Sequence, residues 1–333
     1  MNQEAPIPAQ DFSAGGVIRI GISACILGQE VRYNGGHKLD RFIRDTLGAF
    51  VEFVPVCPEV DIGLGVPRET LRLVQDDSDP DGEPLMQAPK SGADHSKKML
   101  RYAQRKVAEL SKLDLCGYIV QKGSPSCGME RVRVYPRLDG GMPRRDGRGL
   151  FTRVLMQKLP LLPVEEDGRL NDPLLRENFI ERVFAYRRLR QLFAGRWTIG
   201  QLVSFHGSEK LLLMAHSPGK ALGQLVAKAK AVPRAQLKDD YSRLFLETLA
   251  RRSTVRKHVN VLQHIVGYFR KRLDDDSRRE VHDLIEAYRN QLVPLVVPVT
   301  LIRHHVRKLE IDYLMGQSYL SPHPRELMLR NHA

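Results

Sequence analysis

The sequence predicts an α/β Rossmann-like parallel-sheet domain at the N-terminus, followed by an all-α domain. Three observations predict it. Short apolar runs rich in β-branched residues recur at Val17 to Ile22, Val51 to Val56 and Leu115 to Val120, the length and composition of buried strands. Helical patterns lie between them, and strand–helix alternation is the signature of a parallel sheet. From Asp172 onward the pattern changes to long stretches with apolar residues three and four apart, the spacing of helices alone.

Residues 1–16 carry neither pattern nor a hydrophobic signal core and are expected to be a flexible N-terminus. The first domain is expected over 17–168. After its first strand, Leu39 to Leu47 reads as a helix. Asp76 to Pro89, acidic and rich in Pro and Gly, reads as a flexible surface loop. Asp94 is placed to cap a helix from His95 to Leu110, whose Met99, Tyr102, Ala103, Val107 and Leu110 fall at helical spacing. Arg131 to Tyr135 reads as a strand, Pro136 to Arg148 as a Gly- and Arg-rich connection, Leu150 to Leu159 as a helix and Leu161 to Val164 as a closing strand. Glu165 to Arg169 reads as the boundary region. The second domain, 169–330, is read as helices at Leu174 to Phe193, Thr198 to His216, Lys220 to Lys230 and Leu237 to Leu273, with breaks at Gly195, Ser217 to Gly219 and Pro233.

A chain of 333 residues is long for one core, so two domains agree with length alone. No apolar run approaches the ~18 residues of a membrane span, so no membrane association is expected and the default compartment is the cytoplasm. Net charge is unevenly placed. Residues 1–170 carry 24 Lys and Arg against 23 Asp and Glu, whereas 171–333 carry 28 against 16. An excess of +12 in the second half points to a polyanion, most simply nucleic acid, or to a solvated basic surface without a partner. No GxGxxG follows the first strand and no GxxxxGK[ST] occurs, so neither a nicotinamide nor a flavin is expected.

Each of the three apolar runs ends in a cysteine: Ser23-Ala24-Cys25, Cys57-Pro58-Glu59 and, after Lys122-Gly123-Ser124-Pro125-Ser126, Cys127. In one parallel sheet all three emerge at the C-terminal edge, where open α/β sheets place their ligands. Four cysteines in a chain this long do not form a disulfide framework. Spacing this wide excludes a zinc ribbon and suits ligands gathered by tertiary structure; thiolates favour zinc, copper(I) or iron–sulfur clusters, or the three are inert core thiols. A [4Fe-4S] cube held by three cysteines keeps one open iron, which suggests catalysis. Cys116 sits at the start of its strand, roughly 13 Å from the pocket edge at ~3.3 Å per residue, and reads as a small buried apolar residue. Glu59 is placed as a proton donor or acceptor, or as an exposed loop carboxylate. Ser124 and Ser126 bring hydroxyls, although Ser126 equally suits bonding to turn backbone.

These motifs, together with Val31-Arg32-Tyr33-Asn34-Gly35 and Ser124-Pro125-Ser126-Cys127-Gly128, resemble the thiouracil desulfidase (TudS) family over about residues 17–164. Phe205-His206, Met214-Ala215-His216, His258 to Leu262, His264 to Phe269 and Pro294-Leu295 resemble the YbgA-like helical domain. The fused pair is similar to tRNA 4-thiouridine desulfidases. The resemblance implies a [4Fe-4S] cluster on Cys25, Cys57 and Cys127, Glu59 and Ser124 assisting the chemistry, and a non-redox hydrolysis of a thiocarbonyl to uridine and sulfide. It implies tRNA containing 4-thiouridine as the partner. Alternatives are a desulfidase of free thiouracil or thiouridine, and an RNA-binding protein with a structural or redox-sensing cluster.

Two further sets of residues follow from that expectation. Arg131, Arg133, Arg137, Arg144, Arg145 and Arg148 form a second basic track behind the cysteine loop, or ordinary surface charge, while Arg32, Tyr33, Asn34 and Arg68 suit a pocket wall or, near Gly65 and Pro67, a structural turn. Nine of eleven histidines follow residue 170. His206, His216, His258 and His264 lack the i, i+4 pairing of a helical metal site, and read as packing or RNA contacts.

Overall fold

The computed structural model describes residues 16–75, 79, 82–136, 141–217, 220–270 and 272–332. Residues 1–15 of the expected flexible N-terminus, 76–78 and 80–81 of the 76–89 segment, Arg137, and 218–219 of the expected break lie outside the described residues. The chain divides into two compact units, and the change falls at Asp172, after a unit spanning Val17–Asn171.

In the first unit the elements run β1 (Arg19–Ser23), β2 (Glu52–Val56), α1 (Pro58–Asp61), β3 (Arg72–Gln75), β4 (Leu85–Gln87), α2 (Ser96–Leu110), β5 (Leu115–Val120), β6 (Val132–Pro136), β7 (Arg144–Gly147), α3 (Leu150–Lys158) and β8 (Val164–Glu166). The main sheet has the order β2-β1-β5-β8 and every pairing in it is parallel. The parallel sheet expected from the cysteine-terminated runs is therefore present. All six residues of β5 are buried, as a central strand covered on both faces requires. Gly21 in β1 has a packing reason: a Cβ there would stand 2.3 Å from the Tyr118 ring, so only glycine lets that fully buried aromatic lie across the neighbouring strand.

Helix α2 buries Met99, Tyr102, Ala103, Val107 and Leu110, the stripe expected from its spacing. Asp94 stands one position outside the cap that His95 occupies, and its carboxylate accepts from the Ser96 amide at 2.8 Å. Four other expectations need correction. Leu39 to Leu47 forms a π-turn over Phe42–Thr46 and a 3-10 turn over Leu47–Ala49, with Asp40 accepting from the Ile43 amide at 3.0 Å. The 76–89 segment contains β4, whose Met86 is wholly buried and bonded through its amide to Ser96 at 2.7 Å. The Gly/Arg-rich connection contains β7, and β6 leaves the main sheet for a second one, ordered β4-β3-β6-β7. The last strand lies at Val164–Glu166 rather than Leu161 to Val164, so the two glutamates read as a boundary are buried in the first unit.

The second unit is all helical: α4 (Pro173–Leu192), α5 (Ile199–His216), α6 (Lys220–Ala227), α7 (Arg234–Leu249), α8 (Val255–Gly267), α9 (Asp275–Arg289), α10 (Val296–Lys308) and α11 (Asp312–Met315). Local caps set its starts. Asp172 accepts from the Leu174 and Leu175 amides, and Thr198 with Gln201 forms a reciprocal capping box. The single helix expected over Leu237 to Leu273 is two, because Thr254 stops the chain and caps α8 by accepting from the Lys257 amide at 3.3 Å. No described helix is long and apolar enough to cross a membrane.

Candidate functional site

The C-terminal ends of β1, β2 and β5 deliver the three cysteines to one cavity of about 270 Å³. Cys25 follows β1 on a 3-10 turn that Gly28 ends in the left-handed region at φ +93°. Cys57 follows β2 as the cap of α1, with Pro58 at its first position, and points its thiol at the Val31 carbonyl, 3.8 Å away. Cys127 ends the loop after β5, and Cys25 and Cys127 are both nearly closed to solvent. Cys116 lies fully buried in the first half of β5, its sulfur 3.6 Å from the Asp114 carbonyl oxygen, and does not line the cavity.

The Cys127 loop is fixed from two sides. The first turn of α3 spends its free amides on loop carbonyls: Leu150 donates to Pro125 at 3.0 Å and Phe151 to Ser126 at 3.0 Å. Thr152 adds its hydroxyl to the Cys127 carbonyl at 2.5 Å. Gly149 permits that approach, since a Cβ there would meet Ser126 backbone at 2.5 Å. From the other side the buried Glu166 carboxylate accepts from the Met129 amide at 2.8 Å, and burial raises its pKa. Gly149, Thr152 and Glu166 are site-building residues that the motif reading did not single out.

Glu59 projects from α1 into the same cavity. One oxygen accepts from Arg68 through Nε at 3.0 Å and a terminal nitrogen at 2.6 Å. The other accepts from the Ser126 hydroxyl at 2.7 Å. Arg68 and Glu59 side chains are only 6% and 14% exposed, so the pair is held in a largely water-excluded wall where each bond counts for more than at a surface. Arg68 also donates to the Gly65 carbonyl at 3.0 Å, and thus serves both the turn and the pocket. The serines divide their work. Ser124 Oγ accepts from the Ser126 and Cys127 amides at 3.2 and 3.1 Å and lies 2.9 Å from Ser126 Oγ. The Ser126 hydroxyl, besides reaching Glu59, lies 3.6 Å from Cys127 Sγ. Arg32 and Tyr33 line the cavity; Asn34 instead closes its own turn by accepting from the Gly36 amide at 3.2 Å.

Burial, reinforced by the neighbouring Cys57, pushes the Cys25 thiol up to about 12. Burial likewise pushes Cys127 up to about 12 and raises Cys57. Three thiols this reluctant to ionise are a poor fit to nucleophilic catalysis, which needs a lowered pKa. They fit metal ligation, where the cation itself displaces the protons.

Residues 20–167 match the 2-thiouracil desulfurase family and residues 210–324 match the family described as protein of unknown function DUF1722. The uncharacterized protein YbgA of Escherichia coli K12 is 33% identical over 156 residues, 45% of this chain and 90% of its own length. The chain belongs to the YbgA family and carries an N-terminal region that matches 2-thiouracil desulfurases. The uncharacterized protein YbbK of Bacillus subtilis 168 is 29% identical over 112 residues, 32% of this chain and 71% of that protein. Among solved structures, the [4Fe-4S]-dependent thiouracil desulfidase TudS is 28% identical, with a TM-score of 0.38, covering 48% of this chain and 97% of that one.

Three of the four histidines singled out in the sequence, His206, His216 and His258, are absorbed by packing and hydrogen bonds. His206 Nδ1 lies 3.2 Å from the Tyr241 hydroxyl. His216 bonds the Arg251 carbonyl at 2.6 Å and Glu181 at 3.1 Å. His258 Nδ1 lies 3.0 Å from the Tyr319 hydroxyl. His264 is exposed with its ring against Tyr268. Glu177, Glu181 and His323 bring ligand-type atoms within 4.8 Å of one another, but the buried Arg330 guanidinium already pairs with both carboxylates at 3.1 and 2.7 Å.

Burial drops the His258 pKa from 6.5 to about 3. Unfolded chains therefore take up this proton near pH 6.5 while the folded domain does not until about pH 3, so stability falls as pH falls through that window. Over that whole window the contribution is on the order of 5 kcal/mol. Thermal unfolding of the full chain at pH 7 and pH 5 should show a drop in Tm that His258→Gln makes smaller. Equal drops in both proteins would remove His258 from the acid response.

Proposed function

We propose that the protein is a [4Fe-4S]-dependent tRNA 4-thiouridine desulfidase, replacing the C4 thiocarbonyl sulfur by oxygen from water to give uridine and sulfide. The observation that carries this reading is the meeting of Cys25, Cys57 and Cys127 with the Arg68–Glu59–Ser126 chain in one cavity of a domain that matches the 2-thiouracil desulfurase family. Cys25, Cys57 and Cys127 would hold the cluster, which when bound supplies a Lewis-acidic iron lacking a protein ligand for the thiocarbonyl sulfur.

Everything else falls to side chains of this chain. Glu59 stands where it can take a proton from the attacking water as the C–O bond forms, and return it to the sulfur as the C–S bond breaks. Arg68 fixes the carboxylate from one side, leaving the Ser126-bonded oxygen turned to the cavity. With its oxygen engaged by two backbone amides, Ser124 has its hydroxyl proton left for Ser126 or for the bound pyrimidine. Water in and sulfide out leave the carbon's oxidation level unchanged, so no electron donor enters the balance. A cavity of about 270 Å³ is at the small end of ligand pockets and suits one nucleobase, with the rest of the substrate outside.

Support for a polymer substrate comes from charge: +12 over residues 171–333 suits phosphate backbone. Desulfidation of thiolated tRNA, 4-thiouridine and thiouracil by the cluster-loaded full chain tests the reading, followed by loss of the thiocarbonyl absorbance and sulfide release. Turnover should be fastest on tRNA, with kcat/KM falling by a log–log slope of about 0.7–0.9 per phosphate contacted as salt rises. Clearance of free thiouracil with no action on tRNA would make it a free-base desulfidase.

A further inference from the structure

We propose that the outer face of the second sheet of the desulfurase domain is a phosphate-backbone contact, which holds the RNA next to the nucleotide in the cavity. This deepens the tRNA reading and rests on it. Arg133 of β6 and Arg145 of β7 are direct register partners, and both are exposed. Like charges directly opposite on one face of a sheet repel, an arrangement relieved by an anion lying across them. On the other side of β6, Leu73 pairs with Val134. Arg72 and Arg133, each one residue earlier, therefore share the opposite face, which continues the row onto β3. The Arg72 guanidinium lies 5.3 Å from the Tyr135 ring centroid, which confirms that Tyr135, two residues after Arg133, belongs to the same face.

Described carboxylates do not neutralise the row. Among the described residues Asp146 pairs with Arg144 at 3.3 Å and Glu130 with Arg169 at 2.7 Å. Among the described residues no acidic partner falls to Arg72, Arg133 or Arg145. Arg72 Nε is buried with no hydrogen-bond partner among the described residues, so its terminal nitrogens are the ones left for an anion. The row also starts at the site. Leu71, immediately before Arg72, lines the cavity, and β6 begins five residues after Cys127. Three guanidiniums beside a half-buried tyrosine are the donor set for phosphates flanking a base drawn into the pocket. A free base or nucleoside, having no flanking phosphates, does not need them.

The test uses the cluster-loaded full chain, wild type against the Arg133→Ala/Arg145→Ala double variant and the Arg133→Lys/Arg145→Lys variant, on thiolated tRNA and on 4-thiouridine. The alanine pair should raise KM for tRNA about tenfold and reduce the salt slope of kcat/KM by about 1.4–1.8, the loss of two phosphate contacts. Lysines should restore most of the slope. Turnover of 4-thiouridine should equal wild type, which also shows that the variant is folded and loaded. An unchanged KM and slope on tRNA, with wild type active on it, would overturn this surface alone. A wild-type enzyme that clears 4-thiouridine but not tRNA would overturn the polymer reading and this surface with it.

Discussion

Replacing Cys25, Cys57 or Cys127 with alanine is expected to reduce desulfidation to background and strip the iron. Anaerobically prepared wild type should carry about four iron and four sulfide per chain with the absorption of a [4Fe-4S] cluster. Each of the three sulfurs ends a different element at the same sheet edge, so no neighbouring thiol can take over a lost ligand. Cys116→Ala provides the contrast. Its sulfur is fully buried in β5 and outside the cavity, so that variant should keep full iron, sulfide and activity at a small cost in stability. The effect expected of the three ligands is all-or-none because a cluster with two protein ligands loses much of its attachment, whereas a catalytic side chain only slows a step. Stoichiometric zinc without iron in wild type, or full iron in all three alanine variants, would defeat the ligand assignment.

Those three cysteines were legible because their signal is local. An apolar run followed within a few residues by Cys predicts a strand end, and a parallel sheet then places every such end at one edge. What escaped the sequence is non-local or weakly patterned. Strand β7 reads Arg144-Arg145-Asp146-Gly147, with no alternation to betray it, and it exists because β6 pairs beside it. Glu165 and Glu166 look like a solvated acidic linker. They are buried because Glu166 accepts amides from the Cys127 loop, 37 residues away in sequence, a demand that no window around residue 166 can show. The break between α7 and α8 has neither Gly nor Pro, only the capping Thr254. Which serine faces Glu59 also depended on the turn. Gly123 takes φ +70°, and the loop then folds so that Ser124 receives two backbone amides while Ser126 points at the carboxylate.

Glu59→Gln should retain the cluster and lose turnover by roughly 10²-fold or more, the scale of a missing general acid–base group. Glutamine keeps the shape, its carbonyl oxygen accepting from Arg68 and its amide donating to the Ser126 hydroxyl oxygen in place of the carboxylate, so iron content and substrate KM should stay near wild type while kcat collapses. That split separates a proton carrier from a residue that only shapes the pocket, since a shaping role would move KM. Arg68→Lys keeps the positive charge but gives up the two-nitrogen grip on one carboxylate oxygen. It should therefore lower kcat by a smaller factor, about tenfold, and alter the pH profile without loss of iron. Ser126→Ala removes the 2.7 Å bond to the other oxygen and should fall in the same range. Ser124→Ala instead frees two backbone amides of the cysteine loop, so its damage should include slower or incomplete cluster loading. The decisive comparison is kcat for Glu59→Gln at matched iron content. Turnover within a few-fold of wild type would take the proton from Glu59 and leave the Arg68–Glu59–Ser126 chain as wall structure.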